Sequence, residues 1–254
     1  MSQEPRRTGF SGPTLVRLLA RLTDADAPPP ATSLSGQLSQ WLGWPDAIAL
    51  SAALKGGPAA APAAVPANPR ACGATAEEQE CARVRGALAD AIAGDNALAA
   101  RRRGPGRPSA LAEAMDAQVD YAIYRHRYVS QQQAMETAIG ALRGRMRAAL
   151  STRAPDMARL AMVDAVMERV LGAREQNVLG SVPTLLEGHF QRLRQAEAAA
   201  LAEAQAATKP AAAAPVAPGA WLAVFRKDMQ SVLLAELEIR FQPVEGLLAA
   251  LRGS

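Results

Sequence analysis

Large apolar residues recur at steps of three and four along most of this chain, the spacing of one face of an α-helix. Ser11 and Pro13 precede a short amphipathic segment, Thr14–Thr23, with Leu15, Leu18, Leu19 and Leu22 on one side, and Pro28–Pro30 ends it. Ser33–Trp41 repeats the pattern with Leu34, Leu38 and Trp41. Gly43-Trp44-Pro45-Asp46 then reads as a stop and a restart, with Gly beyond one helix end and Pro in the first turn of the next. The third helix, Pro45–Leu54, carries Ile48 and Leu54. Helices this short are unstable alone and must pack on something larger.

Longer elements follow. Thr75 and Glu78 form a capping box for a helix with Val84, Leu88 and Ile92, ending at Gly94 or Ala100. Arg101–Pro108 is a basic loop. Ser109 caps the longest predicted helix, Ala110–Ser151, about 60 Å long at 1.5 Å per residue. One stripe on it is Leu111, Met115, Ala122 and Val129, and a second is Met135, Ile139, Leu142, Met146 and Ala149, a coiled-coil-like seam. The polar stretch Ser130–Gln133 between them predicts a kink or a register shift. Gly140 and Gly144 weaken the helix by about 1 kcal/mol each relative to Ala, and close approach of a neighbouring helix would explain them. Pro155-Asp156 starts a helix that runs to Leu179 with Leu160, Val163, Met167, Val170 and Leu171 on one face. Gly180–Pro183 turns the chain into a helix bearing Leu186, Phe190, Leu193 and Ala200. The last region carries Trp221, Leu222, Phe225, Met229, Val232, Leu237 and Phe241, and Pro243 is expected to restart a final short helix ending near Arg252.

Composition agrees with this reading. Alanine, at 58 residues, makes up nearly half of the 49% hydrophobic content, which leaves about a quarter of the chain as large apolar residues. Alanine has the best helix propensity but buries little area. Isoleucine numbers 5 and aromatics are 4%, so the usual strand vocabulary is missing. Two Ala/Pro-rich stretches divide the chain. The expected organisation is a short-helix block at 1–54, a linker at 55–74, a central long-helix block at 75–207, a linker at 208–219 and a helical block at 220–254. The expected fold is all-α: long antiparallel helices in a coiled-coil-like bundle, with short N- and C-terminal helices docked on them.

Charge is unevenly placed. The chain carries +4 overall, whereas residues 101–159 carry +6. Two cysteines, Cys72 and Cys81, cannot build a disulfide framework, and His126 and His189 are too few for an ordinary zinc site. No metal or other cofactor is expected. The apolar stretch from Leu15 to Leu22 is short and interrupted by Arg17 and Arg21, so it reads as neither a signal sequence nor a membrane span. The uncharged run 210–225 contains Pro210, Pro215 and Pro218 and cannot be a spanning helix. These features lead to an expected cytoplasmic location without membrane insertion.

Several constellations carry candidate chemistry. Arg101, Arg102 and Arg103 with Gly106-Arg107-Pro108 resemble half of an AT-hook, whose extended arginines suit a narrow minor groove. Pro105 stands where that motif has Arg, and there is one copy. Tyr121, Tyr124 and Tyr128 lie on one helical face, interleaved with Arg125, His126 and Arg127. Such a patch can stack on bases, but the same spacing describes an inter-helix packing stripe with wet hydroxyls. Arg143, Arg145 and Arg147 could meet phosphates, or the acidic Glu77, Glu78 and Glu80 of the preceding helix. Asp116 and Asp120 stand one turn apart, and His189 lies beside an apolar stripe; both read as surface or packing features. There is no phosphate-binding Gly loop, no GxSxG and no HExxH, so no enzyme is expected.

The stretch Gly12–Asp26 and the segment Leu38–Leu54, with Trp41-Leu-Gly-Trp44 as its most specific part, resemble an uncharacterised proteobacterial family of unknown function. Tyr124–Tyr128, Met135–Arg143 and the segment from Trp221 to Arg252 extend the similarity. The resemblance implies no activity. It does imply an accessory of an envelope assembly, because members stand beside OmpA/MotB-like and ion-channel-like membrane proteins. The functional expectation is a non-enzymatic helical scaffold or interaction protein, self-associating or bound to a protein partner, with Trp41, Trp44 and the three tyrosines as packing or partner surface. The alternative is a basic nucleic-acid-associated protein that uses residues 101–159.

Overall fold

The computed structural model describes residues 13–23, 33–55, 72–95, 120–206 and 219–253. Among them stand eight α-helices and no strand. They are α1 (Thr14–Thr23), α2 (Leu34–Trp41), α3 (Trp44–Lys55), α4 (Cys72–Gly94), α5 (Tyr121–Ser151), α6 (Pro155–Leu179), α7 (Val182–Ala206) and α8 (Ala220–Gly253). The fold is all-α, as the spacing predicts.

Local chemistry sets most of the boundaries. The Ser33 side chain accepts the Gly36 amide at 3.2 Å and opens α2. Asp120 is extended, with φ −82° and ψ 133°, and its carboxylate accepts the Ala122 amide at 3.0 Å. The long helix therefore begins at Tyr121 rather than Ala110, because an extended N-cap residue cannot lie inside a helix. Leu111, Met115, Asp116 and the loop Arg101–Pro108 fall outside the described residues. The helix predicted to start at Thr75 starts earlier, at Cys72. Gly219 adopts φ 79°, where a side chain would be strained. Its amide and that of Trp221 reach the Glu197 carboxylate at 3.1 and 3.5 Å, so α7 caps the N-terminus of α8.

The C-terminal helix is the axis of the molecule rather than a short helix docked on its outside. It packs against α1, α4, α5, α6 and α7. Leu222, Phe225, Met229, Val232, Leu233 and Phe241 are all fully buried along it. Burial of each such side chain contributes about 1.5–3 kcal/mol. Pro243 does not break this helix, which continues through it to Gly253. A proline removes one helical hydrogen bond, but Phe241, Val244, Leu247, Leu248 and Leu251 are buried on both sides of it and hold the last turns in place.

Polar pairs set the registers of the other helices. Arg143 and Arg147 each meet both Asp164 and Glu168, at 2.5–3.4 Å, and so lock α5 to α6 beyond the turn at 152–154. On the other side of α5, Arg145 meets Glu80 at 2.8 Å and Glu77 at 3.5 Å. Arg85 joins α4 to α8 through Glu238 at 2.7 Å and Glu245 at 2.6 Å, and Arg252 pairs with Glu78. The short α2 and α3 lie apart from this core, with α3 packed on α6.

Gly140 and Gly144 have open space where a Cβ would stand, so neither marks a close helix approach. The helix is also continuous through Ser130–Gln133. Replacement of Gly144 by Ala is therefore expected to raise the unfolding free energy by about 1 kcal/mol, and Pro243→Ala by a similar amount, tempered by the freer unfolded chain. Urea midpoints should rise with unchanged slope. A fall for Gly144→Ala would show that a neighbouring backbone needs the space.

Candidate functional site

The three tyrosines of α5 face inward. Tyr121 and Tyr124 pack with Phe190 of α7 and Phe225 of α8, with ring centroids 5.2–6.2 Å apart, and Trp221 meets Phe190 edge-on at 4.8 Å. Their hydroxyls are not wet. Tyr121 donates to the Pro183 carbonyl, Tyr128 donates to Glu236 at 2.6 Å, and the Tyr124 hydroxyl accepts from Arg226 Nε at 3.0 Å. These residues form the core and offer no stacking surface to a base.

Tyr128 opens a buried polar network that periodicity alone does not reveal. Glu236 is fully buried on α8. Its carboxylate accepts from Tyr128, from the Gln132 side-chain amide at 2.9 Å and from Arg240 at 2.9 Å. Gln132 Nε2 also donates to the Leu179 carbonyl at 3.0 Å, and Arg240 reaches Glu175 at 3.3 Å. The carboxylate thus ties α5 to α8, and Gln132 and Arg240 carry the network on to α6. In the sequence, Glu236 and Arg240 look like any exposed i,i+4 pair. Only their place among Leu233, Leu237 and Phe241 hints that they lie inside. Burial, with the Glu236 carboxylate beside it, pushes the Tyr128 phenol well above its usual range. Burial also raises Tyr121, next to Glu187.

Arg143, Arg145 and Arg147 are all engaged in ion pairs, Arg145 with α4 and the other two with α6. His189 bonds Asp228 at 2.9 Å, and Arg21 approaches the same carboxylate at 3.9 Å, so α7 and α1 are joined to α8. Cys81 is a buried free thiol whose pKa burial raises. Among the described residues, no three His, Cys, Asp or Glu side chains are placed to hold a metal. No described helix is long and apolar enough to cross a membrane.

Two surface features remain. The first is a half-open groove of about 750 Å³. It exists because α6 packs mainly on α5 and α3 and only touches α8. Leu15 and Leu19 of α1 wall it on one side, Met167 and Leu171 of α6 on another, and Ile139 and Ile239 come from α5 and α8. The predicted apolar face of α6 is thus only half covered. Trp41 lies at this groove, with the Arg174 guanidinium over its ring at 4.2 Å. The second feature is α3. Ala53 is buried, but Trp44 is 81% exposed, Ile48 54% and Leu54 57%. Arg101, Arg102, Arg103 and Arg107 lie outside the described residues.

A family model for a protein of unknown function matches residues 1–253. The chain belongs to the DUF3348 family. No curated protein and no solved structure matches it. The DUF3348 description assigns no activity and no site residues, so the groove and the exposed face of α3 stand on their geometry alone.

Glu236→Ala is expected to cost about 3–5 kcal/mol, because it strands Arg240 and two further donors in the interior. The buried tyrosines set a limit at alkaline pH. A phenol whose pKa is raised on folding contributes stability that is complete below its ordinary value near 10 and is lost as pH rises above that value. Unfolding free energy should hold up to about pH 10 and then fall, and Tyr128→Phe should make that fall shallower by about 1.4 kcal/mol per pH unit. An identical alkaline slope in the variant would place Tyr128 in water.

Proposed function

We propose that this DUF3348 protein is a non-enzymatic helical interaction protein that presents the apolar face of α3 to a protein partner. The observation that carries the reading is Trp44, the largest apolar side chain on the described surface, at 81% exposure. Ile48 follows one turn later on the same side and is also exposed. The sequence Trp44–Lys55 is apolar nearly all round, yet only one side of it packs on α6. An apolar helix face left in water is costly unless something covers it. Leu160, Met162 and Val178 add exposed apolar surface on α6. An envelope assembly is the setting that the family resemblance suggests for the partner.

Nucleic-acid binding receives less support. Arg143, Arg145 and Arg147 are held by carboxylates, the tyrosines are inside, and Arg125 and Arg127 are left exposed on α5.

The double variant Trp44→Ala/Ile48→Ser tests the reading. Its stability should stay within about 0.5 kcal/mol of the parent, since both side chains are exposed. Affinity purification from the native host with mass spectrometry should show a protein retained by the parent and lost by the variant, with light scattering to detect self-association. Equal capture by both chains, with equal mass in solution, would contradict it.

A further inference from the structure

The groove beside α6 is chemically distinct from the exposed face of α3, and the ligand it would take is independent of any protein partner on α3. Its volume of about 750 Å³ lies within the range of about 300–1,000 Å³ typical of small-molecule pockets. Its floor is made of helix sides, whose backbone groups are already bonded within their helices. An extended peptide would find no backbone partners there. Two glycines face the groove, Gly140 from α5 and Gly172 from α6. A Cβ built on either meets no neighbouring atom within 4 Å. Both sit in helix interiors, where glycine is costly by about 1 kcal/mol relative to Ala, and their bareness widens the trough.

The charges around the groove are not equivalent. Asp164 and Glu168 are held by Arg143 and Arg147, and Glu175 by Arg240. Glu136 accepts from the Gln176 amide. Arg174 differs: among the described residues no carboxylate lies within 4 Å of it, and its guanidinium sits over the Trp41 ring at 4.2 Å. Stacking fixes the plane of a guanidinium while its edge donors stay free for a bidentate anion. Arg143, which lines the groove from α5, is neutralised by Asp164 and Glu168 and leaves Arg174 to face a ligand's charge.

We propose that the groove binds a single-chain carboxylate amphiphile of the fatty-acid class, its alkyl tail lying on Leu15, Leu19, Ile139, Leu171 and Ile239 and its carboxylate resting on the edge of Arg174. An apolar trough with one fixed, uncompensated cation at its lip complements a long tail with one negative head. Such a ligand would also bridge α1, α2 and α6, which otherwise meet loosely.

Titration calorimetry of the full chain with dodecanoate, dodecanol and dodecyltrimethylammonium, each below its micellar concentration, tests this. Dodecanoate should bind at a single saturable site, about tenfold more tightly than dodecanol, with the cation weakest. Arg174→Gln should bring dodecanoate to the level of dodecanol while dodecanol is unchanged. Gly172→Leu should fill the trough and abolish binding of all three while the far-ultraviolet dichroism stays helical, and Gly140→Met serves the same purpose if Gly172→Leu does not fold. Equal affinity for the three amphiphiles, an Arg174→Gln variant with full preference for the carboxylate, or undiminished binding in a folded trough-filled variant would overturn the proposal.

Discussion

Everything else in this molecule depends on the burial of α8. A helix with a broad apolar face has to be covered along that face, and α8 buries such a face from Trp221 to Leu251 while Lys227, Glu238, Gln242 and Glu245 keep to the outside. Five helices supply the cover, and each is short of a core without it. The α5 tyrosine stripe needs Phe225, α7 needs Trp221 against Phe190, and α4 lies along α8 with Arg85 and Glu78 fixing its register. At the centre the cover is polar. Glu236 must be satisfied once buried, and among the described residues its donors come from α5 and from α8 itself, so one carboxylate fixes how these helices slide relative to each other.

The same constraint explains the surface. Elements that wrap α8 have their apolar faces covered. Elements that do not are left partly open. The α6 helix is tied to α5 by arginine–carboxylate pairs but only touches α8, so its apolar side forms one wall of a groove. Among the described helices α3 packs chiefly on α6 and keeps Trp44 and Ile48 exposed. The proposed functions follow from this gradient: a closely packed side around the buried face of α8 and a less completely packed side around α2, α3 and α6, where binding would complete the packing.

The helical nature of the chain and most of its helices were legible in the apolar spacing. Leu15, Leu18, Leu19 and Leu22 predict α1 with its observed bounds, and Pro155 and Leu179 mark the ends of α6. Two local rules misled. Pro243 reads as a helix breaker, but tertiary packing on either side of it outweighs one lost hydrogen bond. Asp120 reads as one of two helical carboxylates, but its side chain prefers the capping geometry that starts α5. The rank of the helices was not legible from single stripes, since a stripe says that a face is covered and not by how many neighbours. The unbroken run Val232-Leu233-Leu234-Ala235 was the available signal that α8 buries a broader face than a single stripe. At the candidate site, Trp41 and Trp44 stood out in the sequence, whereas the groove did not, because it arises from how far α6 stands from α8. Gly140 pointed to the right place for the wrong reason: it borders open space rather than a close contact.

Native-state hydrogen exchange measures the central claim directly, because it ranks helices by the free energy needed to open them. Amides of α8 between Leu222 and Leu251, together with those of α5 facing them, should exchange last and only by global unfolding, while α2 and α3 exchange far sooner. Early exchange along α8, with α5 and α6 still protected, would show that the C-terminal helix is an accessory and that the bundle is organised around something else.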